Sequence, residues 1–376
     1  MIGGIAALVA LVGFIVAHEA GHYFAARATG MKVTEAFIGF GPRIWSFRRG
    51  ETEYGIKPIP FGAYVKIIGM NSLEEVPPED EHRTYRSKPF WAKSLAVLSG
   101  VVANFLIAFL IFSVVAMVEG EPVIVDGEPV LTTEVSGVVE TDDSGQPTAA
   151  AAAGLRTGDV IVAVDGVPVD GWEDLRARIE TAAGEQVVLT VERGGQQLEL
   201  STTMGSRADP ETGEQVGFLG FAPAFATQDI SVFEAGWIGV RQVGVAVQFT
   251  FESFGRILRF DTLGQLFGGI TGGEIDPDVR PVSPIGIVQI GSQADEFGLV
   301  NTVLLMAFVN VILGTLNALP LYPLDGGHFA VALYEKLTGR TADIRKLIPI
   351  ALTVIAVIGG IGLLAIILDI VNPIDL

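Results

Sequence analysis

The sequence predicts an α-helical polytopic membrane protein of about four spanning helices, with a membrane re-entrant β-hairpin or small sheet and one inserted small α+β domain. Three observations carry this. The 376 residues have a mean hydropathy of +0.49 and are 49% hydrophobic, too apolar for an ordinary soluble domain of this length. Four stretches stay apolar over the ~20 residues that a bilayer crossing needs. Between them lie segments with β and turn signals and most of the charge.

The stretches run from Ile2 to Ala28, Ser94 to Val118, Val300 to Leu319 and Pro349 to Val371. The first differs from a signal peptide: it lacks a basic start and a small-residue cleavage pattern, and it carries His and Glu near its end. Residues 29–93 hold ten Lys and Arg and residues 320–348 hold four, whereas residues 119–299 hold nine against 29 Asp and Glu. Because positive charge is retained on the cytoplasmic side, the acidic middle block is expected outside and both termini with it. Spans one and three then run in the same direction.

Residues 33–68 mix β-formers such as Phe37, Ile38, Trp45, Phe47 and Ile56 with turn signals at Gly39, Gly41-Pro42 and Arg49-Gly50. They predict two or three short strands in hairpins at the membrane surface. Glu74 to Glu81 is acidic and contains proline, which predicts a mobile loop. The resulting division is a first membrane part at 1–119, a strand-turn-strand domain at 120–205, a Gly-, Pro- and acid-rich linker at 206–229, a connecting region at 230–299, and a second membrane part at 300–376. Within 230–299, Phe233, Trp237, Val240, Val243, Val247, Phe251 and Phe254 recur at helical steps, which predicts a helix lying in the interface.

With Cys 0, a disulfide framework, a thiolate zinc site and a cysteine nucleophile are excluded, so a metal would be held by His and carboxylate. The formal charge of -19 argues against nucleic acid as a partner. Only 4 histidines exist, and His18 and His22 stand one helical turn apart with Glu19 between them. On a helix both imidazoles share one face, where they can hold one zinc ion, and Glu19 projects beside them as a base for an activated water. Chance is the bland explanation of a five-residue match. It is weakened here because ionisable groups in an apolar span are costly, about 2.5–3.5 kcal/mol at mid-bilayer.

A catalytic zinc needs a third protein ligand and an open position. The end of span three, Asn317-Ala-Leu-Pro320-Leu-Tyr-Pro323-Leu-Asp325-Gly-Gly-His328, breaks the helix with two prolines on the membrane side shared with His18 and His22. Asp325 is the expected third ligand, because a carboxylate after a helix break can reach across. His328 is the alternative, and His82 reads as solvated.

These residues, with a later Leu324-Asp325-Gly326 and a small inserted domain, make the chain resemble the site-2 protease family of intramembrane zinc metalloproteases, in its RseP/Rip1-like bacterial branch. The likeness extends to Gly39-Phe40-Gly41-Pro42 and the hairpin after it, to Gly100-Val-Val-Ala-Asn104 in span two, and to Ser283-Pro284-Ile285-Gly286. It implies one Zn2+ per chain on His18, His22 and Asp325, and Glu19 as catalytic base. It implies Asn104 and Asn317 as groups that orient substrate or stabilise the oxyanion; on physical grounds either amide is equally an interhelical contact. Two departures bear on local backbone shape: the second proline stands one step late at Pro323, with Tyr322 in its usual place, and Ser283 replaces a common glycine.

The run Gly154-Leu155-Arg156-Thr157-Gly158-Asp159 followed by Asp165-Gly166 resembles a single PDZ domain in permuted arrangement. Gly137-Val138-Val139 is the expected peptide-binding strand, and a core strand is its plain alternative. The resemblance implies regulated cleavage of single-span membrane proteins such as anti-sigma factors, in the bacterial cytoplasmic membrane, with the PDZ-like domain outside and the catalytic residues near the cytoplasmic face. A metal-ion transporter and a catalytically silent zinc-bound scaffold are the rivals. A transporter gives Glu19 and a peptide-binding domain no role.

Overall fold

The computed structural model describes all residues except 1, 72, 143–144, 209–212, 271–272, 274, 277–278, 295–298 and 375–376. Contacts divide the chain into two compact units. One comprises Met1–Val114, Val232–Ser292 and Thr302–Leu376; the other comprises Val115–Ser231 with Gln293–Asn301.

Among the described residues of the chain, four helices are long and apolar enough to cross a membrane: Gly3–Ala28, Phe90–Glu119, Val300–Ala318 and Ile344–Val371. The second begins a turn earlier than Ser94. The fourth begins at Ile344, not at Pro349: Asp343 caps it by accepting from the Arg345 N–H, and Pro349 sits inside, where only one backbone donor is lost.

Spans one and two touch through small residues. A Cβ on Gly21 would lie 2.6 Å from the Ser99 carbonyl oxygen, so glycine lets the two backbones meet. The expected helix after 230 is continuous over Val232–Ile257. Its buried Ala246 joins Ala108 and Phe112 of span two and Ala307 and Val311 of span three in one cluster. Large residues such as Phe233, Trp237 and Phe251 stay exposed. A shorter helix, Pro284–Ala294, lies against the start of span one, where Gly291 faces Ala7.

Residues 33–67 form four strands, not two or three: β1 (Val33–Phe40), β2 (Trp45–Arg49), β3 (Thr52–Ile56) and β4 (Ile59–Ile67). Their order is β2-β3-β1-β4, with β1 parallel to β3 and antiparallel to β4. The β2–β3 hairpin folds back as expected, but β3 then lies beside β1 and leaves β4 as an edge. Tyr23, Met31, Val33, Ile67, Ala92 and Ala96 pack together and fasten this sheet to spans one and two. The acidic stretch expected to be a loop contains a 3-10 turn, Pro78–Arg83, held by Lys32–Asp80 at 2.5 Å and Arg83–Glu51 at 2.6 Å.

The second unit is a mixed domain around a sheet of strands ordered Gln196–Thr203, Gln186–Arg193, Val160–Val164, Leu131–Val138 and Phe221–Phe225. Val135, Leu175, Leu189 and Val191 are wholly buried at its centre, each contributing about 1.5–3 kcal/mol. Two expectations are corrected here. Residues 206–229 are not simply a linker: Phe221–Phe225 closes the sheet, and Gln215–Phe218 pairs with Gly205–Ala208. Gly137 and Val138 are not an open strand, because they pair with Ala222 and Phe221, and Val139 donates to the Gly220 carbonyl. The sheet ends instead at Phe221–Phe225, where Phe221 meets the Trp172 ring of the helix Gly171–Thr181 at 5.9 Å, while that helix packs on Gln215–Phe218 and Leu131–Val138. Pro223 suits that place, since an edge strand tolerates a residue without an N–H.

Candidate metal centre

His18 and His22 lie on the C-terminal half of the first span's helix and are 6% and 8% exposed. Their rings stand edge to face at 4.7 Å, with the two Nε2 atoms 3.1 Å apart. Asp325 arrives from the other end of the chain. Span three stops at Ala318, the chain bends through Pro320 and Pro323, and a new helix begins at Asp325. Gly326 and Gly327 make the bend compact, because a side chain on either would strike the backbone at Ala318 or Leu321. Asp325 Oδ2 then lies 3.1 Å from His18 Nε2 and 3.2 Å from His22 Nε2.

Three ligand atoms therefore form a nearly equilateral triangle. Donors at about 2.0 Å from a tetrahedral zinc are separated by roughly 3.3 Å, so the spacing fits that ion with the fourth position free. The hydrogen-bonding geometry agrees: Asp325 Oδ2 is buried with no aligned donor despite its two close imidazoles. Three atoms that can each offer a lone pair converge, as a shared cation requires. Of the described His and acidic residues, His18, His22 and Asp325 form the group able to hold a metal ion.

Around this triangle the chain fixes tautomer and position. His22 Nδ1–H donates to the Ala96 carbonyl of span two at 2.7 Å, which leaves Nε2 free to offer its lone pair. Gly100, one turn further, sits directly against both rings: a Cβ there would collide with His22 Nε2 and lie 2.9 Å from His18 Cε1. Glu19 is partly buried beside the triangle, with the Val65 backbone N–H of β4 close to its carboxylate.

The remaining expected residues are placed as follows. His328 packs its ring on Tyr322 at 4.8 Å, outside the triangle, and His82 is exposed. Asn317 donates to the Leu313 carbonyl of its own helix at 3.1 Å. Asn104 is wholly buried between spans two and three; its backbone carbonyl accepts from Asn310 Nδ2 at 2.8 Å and its own amide is left without a partner. The sequence reading missed Asn310, the Ala96 carbonyl and the Val65 N–H. Two of these are backbone groups, which no residue pattern marks; Asn310 carried the signal of an amide inside an apolar span.

Comparison with known proteins places this geometry in context. Residues 6–359 match the model of peptidase family M50. The chain is 32% identical to the zinc metalloprotease Rip1 of Mycobacterium tuberculosis H37Rv, over 96% of this chain and 95% of the relative. It is 32% identical to Rip1 of Mycolicibacterium smegmatis, over 100% of this chain and 98% of the relative. Similarity to a putative zinc metalloprotease of Nostoc is 29%, over 96% of this chain and 94% of the relative.

Proposed function

We propose, since this chain belongs to peptidase family M50 and is a zinc metalloprotease, that it hydrolyses peptide bonds inside the membrane-spanning segments of single-span membrane proteins. The observation that carries the reading is the convergence of His18 and His22, on a helix of spanning length, with Asp325 from a distant part of the chain, all within 3.2 Å of one another.

His18, His22 and Asp325 hold the zinc. When bound, the ion supplies Lewis acidity that makes water nucleophilic near neutral pH. Glu19 is placed to take the proton from the attacking water and pass it to the leaving amine, the ordinary task of a neighbouring carboxylate. The Val65 N–H beside it orients it, and His22 is held by Ala96. Asn104 and Asn317 are assigned to orienting the substrate backbone.

A helical substrate hides its carbonyls in internal hydrogen bonds, so it must unwind before it is cut. The free edge of β4 offers replacements. Val65 turns its N–H outward to Glu19, and alternation along the strand turns the backbone of Ala63 the same way. An unwound segment pairing there recovers lost hydrogen bonds next to Glu19.

The second unit fits a PDZ-like reader of extended peptides, with the edge strand Phe221–Phe225 as the place where a peptide would add. By charge it lies outside the cytoplasmic membrane of a bacterium, with the metal centre near the inner face. Anti-sigma factors already trimmed outside are the substrate class that the family resemblance supports.

The test is zinc content and cleavage of a model transmembrane substrate by the purified full chain. Wild type should hold one zinc and cleave; Glu19→Gln should hold zinc without turnover; His22→Ala and Asp325→Ala should lose both. Turnover that survives in Glu19→Gln contradicts the assignment.

A further inference from the structure

A second concavity in the membrane unit includes none of His18, Glu19, His22 or Asp325. It is a cleft of about 340 Å³ between the Pro320–Tyr322 bend, the helix Asp325–Thr338 and the first turns of span four. Ala330, Val331, Leu347 and Ile350 give it apolar walls, and Lys346 stands at its mouth.

The position of these residues along span four orders the cleft from polar to apolar. Arg345 and Lys346 are exposed in the helix's first turn, and Ile350 lies four residues on, about 6 Å deeper along the axis. Beyond them Ile348, Ile350 and Leu352 present exposed apolar side chains, 44%, 48% and 61% exposed, as a lipid-facing helix does. Two acids stand nearby: Asp343, which also lines the cleft, accepts from the Arg345 backbone N–H at 3.0 Å and keeps its charge there, and Glu335 pairs with Lys93 at 2.9 Å. Arg345 and Lys346 have no ion-pair partner among the described residues.

We propose that this cleft binds an anionic phospholipid from the surrounding bilayer, with one acyl chain against Val331, Leu347 and Ile350 and the headgroup phosphate on Lys346 and Arg345. The two unpaired cations above an apolar wall match that amphiphile: a soluble anion has no use for the wall, and an uncharged hydrophobe none for the cations. The occupant would also steady the metal centre. Pro320, Tyr322 and Gly327, which line the cleft, flank Asp325 on both sides along the chain. This second consequence rests on Asp325 being a zinc ligand; the binding itself does not.

The experiment places the full chain in lipid nanodiscs with a phosphatidylglycerol carrying a photoactivatable group in its acyl chain, and maps the adducts by mass spectrometry. Adducts should concentrate in residues 327–350. The double change Arg345→Gln with Lys346→Gln should weaken labelling roughly tenfold or more, and Ala330→Phe should abolish it by filling the cleft. A phosphatidylcholine probe should label weakly. Labelling is read equally well on Glu19→Gln, so loss of the protease assignment and loss of this site are separate results. Adducts spread evenly over all four spans, equal labelling by the neutral lipid, or a phenylalanine at position 330 that raises KM for substrate without changing labelling would each overturn the proposal, the last by giving the cleft to the substrate.

Discussion

Gly100 of the second span and His22 of the first leave no room for a methyl group between them. A Cβ on Gly100 would collide with His22 Nε2, the atom that faces Asp325, and would press on His18 at 2.9 Å. A retreat of the second span would open the close packing of Gly21 on the Ser99 carbonyl. Gly100→Ala should therefore weaken zinc binding about 10–100-fold, the range seen when groups supporting metal ligands are lost. Competition against a chelator measures it, and an alanine variant that retains zinc like wild type would show that the rings have space to move.

Strand addition at β4 gives a second prediction. Lys66 turns its carbonyl toward β1, where Thr34 Oγ1 donates to it, so Ala63 and Val65 turn outward. Ala63→Pro removes an outward N–H and no ladder bond. The rate of cleavage should fall about tenfold, the worth of one hydrogen bond in an apolar setting, while zinc content stays unchanged. Equal rates for the variant and wild type would remove β4 from substrate binding.

Asp369, wholly buried near the end of span four, accepts from the N–H groups of Ser283 at 2.8 Å and Gly286 at 3.1 Å and faces Arg280 at 3.2 Å. It caps the helix that begins at Pro284 from a distant part of the sequence. Asp369→Ala leaves the Ser283 N–H without its acceptor and takes the carboxylate from the Arg280 guanidinium, which keeps only the Asn372 carbonyl. It should cost about 3–5 kcal/mol, read as a lower unfolding temperature in detergent, whereas Asp369→Asn, which still accepts from N–H groups, should lose less. An alanine variant as stable as wild type would mean that the clasp contributes nothing.

The second unit should respond to acid through Asp159. Burial alone would raise this carboxyl, but the Arg193 guanidinium at 2.7 Å and the Arg156 N–H hold it below the usual carboxylate range. A depressed folded-state value means stability that is present above the unfolded-state pKa of about 3.9 and lost as pH falls through the lower folded value. At pH 7, Arg193→Gln should expose the amides of Val187, Leu189 and Val191 to hydrogen exchange in the full chain by about 2 kcal/mol. The variant's deficit should shrink below pH 4. A deficit independent of pH would mean that Arg193 acts by packing alone.

How far the sequence foretold this molecule depends on the range of the interaction. His18, Glu19 and His22 were legible because one helical turn sets their spacing, and Asp325 because two parallel spans bring their ends to one side. The four spans were legible from composition, with ends misjudged by a few residues where a proline in the second turn looked like a boundary. Strand partners were not legible: Phe37 and Ile38 mark a strand, but nothing local says that β3 lies parallel beside them. Phe221–Phe225 was hidden because Gly220 and Pro223 read as linker chemistry, while its strand character comes from pairing with Leu131–Val138. Asp369 and Arg280 stand 89 residues apart, and neither carries a local pattern.

The central claim is that His18, His22 and Asp325 share one zinc ion. Zinc-edge X-ray absorption on the purified chain tests it most directly. The expected spectrum has two imidazole nitrogens with oxygen donors at about 2.0–2.2 Å, kept in Glu19→Gln and lost in Asp325→Ala. A spectrum unchanged when Asp325 is removed, or full cleavage by protein that holds no zinc, would contradict it.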